Sequence, residues 1–242
     1  MLSEKPWRTE AVIQFIAAQF ACLCLGIGIV GVLHQLGVHG FRQEESFGNI
    51  VVGTLSVQGA AWLLIPFFLR RHQTGWREAF GFRGPNLSHA LVKAVGFIVI
   101  VLPVVLLLQA VSATALEKLG FPPENQAAVR LLAEAKSWWT TIYLGVFAVV
   151  IAPVAEEFIF RGMLFPFVKQ LGWPRLAWLG VSFLFALIHL NAPTFVPLFG
   201  FALALTWLYE KTDNLLAPIT AHALFNATNL SLLLWQIHHP NA

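Results

Sequence analysis

The chain has 242 residues, of which 57% are hydrophobic and only 11% charged, with a formal net charge of +3. Soluble domains carry about 25% charged residues, so a water-dispersed globule is excluded and the bilayer is the natural solvent for this chain. The small net charge says nothing useful about nucleic acid, and no nucleic-acid partner is expected. The two cysteines, Cys22 and Cys24, sit two apart in an apolar run, too few for a cysteine zinc site and wrongly spaced for a mutual disulfide.

A helix crosses the bilayer with about 20 apolar residues. Seven segments approach that length: 11–36, 48–69, 89–114, 138–167, 175–191, 193–210 and 214–236. The first outruns the apolar core of a cleaved signal peptide and reads as a retained span. The fourth is longer than one crossing and contains Pro153, which predicts a kink or a break. The fifth is short and meets the sixth across Asn191, Ala192 and Pro193, a tight turn. Trp7, Trp62, Trp138, Trp139 and Trp235 lie near segment ends, where interfacial aromatic belts form.

Two connections are longer and polar. Residues 70–88 interleave Arg70, Arg71, Arg77 and Arg83 with Trp76, Phe80 and Phe82. That mixture suits a segment lying on an anionic membrane surface and an ordinary basic loop equally well. Residues 125–135 read as a short amphipathic helix. The reading is an all-α, polytopic transmembrane bundle of about seven spans, one membrane domain over residues 1–242, with its chemistry concentrated over 138–236. Ten of the 15 basic residues then fall on the N-terminal side and four on the other, Arg161 lying within a span. This charge bias predicts a multi-pass protein of the cell (inner) membrane with a cytoplasmic N-terminus and an outside C-terminus.

Ionisable groups inside spans are costly and mark function. Here they cluster late in the chain: Glu156, Glu157 and Arg161 in the fourth segment, His189 in the fifth, His222 and Asn226 in the seventh. On a helix Glu157 and Arg161 are four apart with the acid first, the favourable order for a pair. Glu156 points about 100° away and has no local partner, which leaves it as a candidate general base. The bland alternative is a structural ion cluster tying helices together. His222 and Asn226 share a helix face and suit donation to a developing oxyanion, or bonds to each other and to backbone. A zinc site is the rival chemistry, because Glu156, His189 and His222 offer one carboxylate and two imidazoles, although no His-Glu-x-x-His stretch is present. His238 and His239 read as a solvated terminus. Ser182 has no placed partner and no nucleophile elbow. Asp213 is the single aspartate, which excludes an aspartyl dyad within one subunit.

At these residues the sequence resembles the CPBP family of intramembrane proteases, which includes the type II CAAX prenyl endopeptidases and proteins linked to bacteriocin processing and immunity. The family pattern appears as Glu156-Glu157-Phe158-Ile159-Phe160-Arg161, then Phe185-Ala186-Leu187-Ile188-His189, then His222-Ala223-Leu224-Phe225-Asn226. Pro153-Val154-Ala155, Gly162 and Asn214-Leu215-Leu216-Ala217-Pro218 resemble the family's flanking residues, and Trp76-Arg77-Glu78-Ala79-Phe80-Gly81 resembles a bacterial variant of the region after the second span. The resemblance implies that Glu156 activates water with help from His189, that His222 and Asn226 stabilise the tetrahedral oxyanion, and that Glu157 and Arg161 support the site. It implies a glutamate-type endopeptidase without a cofactor, or, in the alternative description of the family, a zinc enzyme. The expected partners are membrane lipids and a membrane-associated, CAAX-type peptide or protein, with a polar cavity between the fourth, fifth and seventh segments to receive it. Two other classes stay open: a non-catalytic peptide-binding or immunity protein on the same fold, and a small transporter using buried carboxylates as a proton relay. Repeated halves, common in such transporters, are absent.

Linear depth raises one difficulty. Glu156 comes late in a span running inward and His189 late in a span running outward. Straight, full-length helices place them near opposite faces, so a break at Pro153 or a tilted fifth segment is required.

Overall fold

The computed structural model describes residues 2–42, 46–82, 86–121, 127–135 and 137–239. Among these residues the chain is helical, with no strand. Nine helices follow in order: α1 (Thr9–Gln35), α2 (Phe47–Arg71), α3 (Trp76–Phe80), α4 (Leu87–Lys118), α5 (Ala127–Glu134), α6 (Trp138–Gln170), α7 (Pro174–Leu187), α8 (Ala192–Thr212) and α9 (Leu216–His238). Five of them, α1, α2, α4, α6 and α8, are long and apolar enough to cross a membrane. Two of the seven expected segments differ. The fifth is realised as α7, a 14-residue helix only about 21 Å long. The seventh, α9, has 23 residues, but His222, Asn226, Thr228, Asn229 and Ser231 dilute its apolar character.

Contacts between helix ends fix the topology. Arg8 N donates to His72 Nε2 at 2.9 Å, joining the start of α1 to the end of α2. Gln170 Nε2 donates to Lys5 O at 2.9 Å, and Lys169 pairs with Glu210, bringing the ends of α6 and α8 to the same side. Lys5 Nζ reaches Asp213 at 3.1 Å, in the left-handed residue (φ 44°) that ends α8. These groups define a basic end. The rings of Phe47 and Tyr143 meet at 5.2 Å at the opposite end, where α2 and α6 begin. From Leu216, α9 runs away from the basic end.

Pro153 does not break α6. The helix instead widens into two π turns, Phe147–Ile151 before Pro153 and Phe158–Leu164 before Pro166. A proline has no N–H to give to the preceding turn, and in lipid an unpaired carbonyl costs several kcal/mol. Side chains from elsewhere supply the missing donors. Asn226 Nδ2 donates to Ala148 O at 2.7 Å, the carbonyl that a π turn aims at Pro153. The indole of Trp7 donates to Gly162 O at 3.0 Å, the carbonyl that an α turn aims at Pro166. A third π turn, Leu55–Gly59 in α2, is tied the same way, with Gln19 Nε2 of α1 donating to Val57 O at 2.7 Å.

Trp7 is therefore a correction to the aromatic-belt expectation. It is buried, 4.9 Å from the ring of Phe68, because its one donor is needed inside. Trp138, Trp139 and Trp235 are exposed as an interfacial residue should be. The connection between the second and third segments keeps Arg70, Arg71 and Arg77 exposed and packs its apolar side on the bundle. Ala79 and Phe80 of α3 are buried, and Phe80 lies 4.7 Å from Phe158. A Cβ on Gly162 would stand 2.8 Å from the Phe80 ring, so the glycine admits the ring against α6. Gly81, at φ +75°, lies so close to Asp213 O that a Cβ there would approach to 2.0 Å. Leu215 N donates to Phe80 O at 2.9 Å. The connection thus wedges α3 into the junction of α6, α8 and α9. Arg83 lies outside the described residues, as does Lys136 of the charge count.

Replacing Trp7 by Phe keeps the ring but deletes the donor to Gly162. It is expected to lower stability by about 1–3 kcal/mol, read as a lower unfolding temperature in detergent. Trp173→Phe, at an exposed position, is the control. An unchanged transition for Trp7→Phe would show that Gly162 O does not need the indole.

Candidate active site

The polar residues of α6 are built from two adjacent carboxylates with different fates. Glu157 is fully buried and Glu156 keeps 16% of its side chain accessible. Glu157 Oε1 accepts from Arg161 Nη1 at 2.8 Å, the i,i+4 pair expected from spacing, and also from His222 Nδ1 at 2.8 Å. A carboxylate can only accept, so His222 carries a proton on Nδ1. Its other nitrogen, Nε2, faces Glu156 Oε2 at 3.9 Å. The imidazole bridges the two glutamates, bonded to one and separated from the other by a gap suited to a water-mediated contact.

Arg161 is as deeply buried as Glu157 and uses its whole fork. Nη2 donates to Ala202 O at 3.1 Å, and Nε to Thr206 Oγ1 at 3.4 Å. The guanidinium lies 4.6 Å from the centre of the Phe185 ring, a cation–π contact strengthened by desolvation. Thr206 gives its own proton to Ala202 O at 2.9 Å, so Ser182, at 3.5 Å, is the donor in their contact. Ser182 thereby finds the partner that spacing alone did not place. Glu157 Oε2 is buried without a hydrogen-bond partner among the described residues. Such an orphan costs about 1–3 kcal/mol.

His189 follows the last turn of α7. Its Nδ1 donates to Phe185 O at 2.8 Å, which leaves Nε2 as the acceptor of the neutral ring. The Phe185 ring lies 5.0 Å from the His189 ring and 5.7 Å from the His222 ring. One aromatic face thus gathers both histidines, while Phe201 covers His222 from α8 at 5.6 Å. His189 makes no ion pair with Glu156 among the described residues. Asn226 stands one turn above His222, with one amide N–H committed to Ala148 O.

The depth difficulty resolves through helix length. Glu156 lies 14 residues before the end of α6, about 21 Å from the basic end. His189 lies 15 residues after the start of α7, about 22 Å from that same end. Because α7 stops short and Leu190 turns left-handed at φ 49°, the chain reverses at that depth, where Asn191 Oδ1 caps α8 by accepting from Thr194 N at 3.2 Å. Helix α9 begins deep, since Leu215 sits against Gly162, and His222 comes level after two turns.

The rings of Phe185, Phe201 and Phe225 pack around His222 where α6, α7 and α9 meet. Among the described residues no group of three or more His, Cys, Asp or Glu side chains is placed to hold a metal ion. Glu156, His189 and His222 therefore do not fit a three-ligand zinc site in this arrangement. The free cysteines Cys22 and Cys24 sit on α1.

Two supports escaped the sequence. Thr206 and the carbonyl of Ala202 anchor Arg161, yet a threonine in an apolar span commonly bonds to its own helix and gives no signal. Trp7 secures the same helix and looked interfacial. Residues 137–228, less than half of the chain, match a family model described as type II CAAX prenyl endopeptidase Rce1-like. All six of the predicted site residues fall inside that stretch. No curated protein and no solved structure matches the chain. Over that stretch the chain is similar to the Rce1-like family model, and five of its helices are long and apolar enough to cross a membrane.

Arg161→Met leaves Glu157 buried beside a single partner. A loss of about 3–5 kcal/mol is expected from thermal unfolding in detergent, and Arg161→Lys recovers only part of it because an ammonium lacks the planar fork. Wild-type stability in Arg161→Met would contradict the buried pairing.

Proposed function

From the similarity of residues 137–228 to the Rce1-like model and from this geometry, we propose that the protein is a glutamate-type intramembrane endopeptidase acting on a membrane-associated, prenylated CAAX-type substrate. The observation that carries the reading is the inequality of the two glutamates. Glu157 is committed to Arg161 and His222, whereas Glu156 stays accessible and faces His222 Nε2 across 3.9 Å. That separation accommodates a reacting water or a substrate oxygen, and it is consistent with a base and an electrophilic donor acting on one carbonyl.

Glu156 takes a proton from water, and the water oxygen attacks the carbonyl carbon of the scissile peptide. The carbonyl oxygen becomes an oxyanion, stabilised by Nε2–H of a protonated His222 and by the second amide N–H of Asn226. With His222 protonated, two carboxylates, one guanidinium and one imidazolium sum to zero charge, the balance that a low-dielectric site favours. Glu156 then gives its proton to the leaving amine as the carbon–nitrogen bond breaks. His189 Nε2, free to accept, helps hold the water. Glu157 and Arg161 position His222 rather than touch the substrate. We place the N-terminus and the basic end on the cytoplasmic side, following the charge bias, and treat residues 1–242 as one membrane domain.

Purified protein should cleave a quenched fluorescent farnesyl-CAAX peptide. Glu156→Gln is expected to reduce turnover by about 10²–10⁴-fold with an unchanged unfolding temperature, and chelator to leave the wild-type rate unaltered. A Glu156→Gln protein that retains wild-type turnover would sink the general-base role. Loss of activity in chelator with recovery in zinc would replace it by metal chemistry. A wild-type protein that binds the peptide without cutting it would favour the binding-protein class.

A further inference from the structure

Helices α4 and α8 do not close against each other along their whole length. Between them lies an open groove of about 800 Å³, walled by Phe97, Ile100, Leu203 and Trp207, with Trp178 of α7 at one side. That volume is within the roughly 300–1,000 Å³ of small-molecule sites. Neither Glu156 nor His222 lines the groove. Lys93 and Lys211 stand at its basic end, where a second cavity of about 200 Å³ continues beside His89.

The two lysines are exposed, and nearby acids are already taken. Glu210 is paired with Lys169, and Asp213 accepts from both Lys5 and Ser3. Neither Lys93 nor Lys211 forms an ion pair among the described residues. Their charge is therefore uncompensated at the mouth of an apolar slot. The slot's length is also informative. From Lys211 to Gly200 along α8 is 11 residues, about 16 Å, close to half of the ~30 Å hydrocarbon core. The groove spans one leaflet, with positive charge at headgroup level and apolar walls at acyl-chain level.

We infer that this groove binds one anionic phospholipid of the leaflet at the basic end. Its phosphate sits between Lys93 and Lys211, and its acyl chains run between α4 and α8 against Phe97, Ile100 and Trp207. Basic residues at a membrane surface each favour anionic lipid, and the groove converts that general attraction into a defined site. Because the site leans on α8, the helix whose Ala202 and Thr206 hold Arg161, an occupied groove braces the back wall of the polar cluster.

Native mass spectrometry of the full chain, purified with equal phosphatidylglycerol and phosphatidylcholine, tests the inference. Wild type should retain one phosphatidylglycerol in preference to phosphatidylcholine. Lys93→Gln and Lys211→Gln should each reduce that preference about fivefold, and Ala204→Phe, which fills the slot, should lower retention while the lysines remain. A second readout uses no slot-filling change: equimolar phosphatidylglycerol brominated in its acyl chain should quench wild-type fluorescence more than that of Trp207→Phe. Equal retention of the two lipids would overturn the inference, as would a preference untouched by the lysine changes. Retention that depends on the lysines but shows no Trp207-dependent quenching would mean surface adsorption and overturn the groove. Displacement of the lipid by a farnesylated peptide would assign the groove to substrate. None of these readouts requires peptide cleavage, so they stand or fall apart from the protease reading.

Discussion

A carboxylate sealed from water inside a membrane bundle is the constraint from which the rest of the arrangement follows. Glu157 is tolerable there only because Arg161 and His222 bond to it, since an isolated buried ion costs several kcal/mol and more. Satisfying Arg161 in turn requires Ala202 O, Thr206 and the Phe185 ring. One ion thereby ties α6 to α7, α8 and α9. The next residue along, Glu156, points elsewhere and is bound by none of these contacts. The two adjacent carboxylates thus differ, one consumed by structure and one left accessible.

The backbone obeys the same rule of satisfied polarity. Pro153 and Pro166 remove two donors from α6, and the helix answers with π turns whose carbonyls accept from Asn226 and Trp7. These bonds do more than repair a helix. Asn226 is held beside His222 by its bond to Ala148, so the proline that disturbs α6 also orients a candidate oxyanion donor. The segment before α1 is drawn across the basic end by Trp7 and Lys5, where it covers the junction that α3 wedges from the other side. Helix α7, too short to cross, delivers His189 to the depth of Glu156.

Much of this is legible in the sequence where an interaction is local. The Glu157–Arg161 bond follows from i,i+4 spacing, and the all-helical membrane class follows from composition. The grouping of His189 with His222 does not, because it depends on Phe185 serving both rings, and on α7 stopping after 14 residues. The third bond of the ion cluster, His222 to Glu157, joins residues 65 apart, a relation that no spacing encodes. The π turns are hidden for a related reason. Pro153 announces a disturbance, but whether the helix kinks or widens depends on a donor arriving from α9. The segment around Trp76 and Phe80 carries the amphipathic pattern of a surface helix, and only Gly81 and Gly162 hint at the close approaches that bury it.

The proposed division of labour requires Glu157 to be structural and Glu156 to be free. The most direct test is thermal unfolding of Glu157→Gln beside Glu156→Gln in the same detergent. Glu157→Gln should unfold at a clearly lower temperature, because Arg161 and His222 lose their shared carboxylate. Glu156→Gln should unfold with the wild type. Equal transitions for the two variants, or a larger loss in Glu156→Gln, would contradict the division of labour on which both the fold and the proposed chemistry rest.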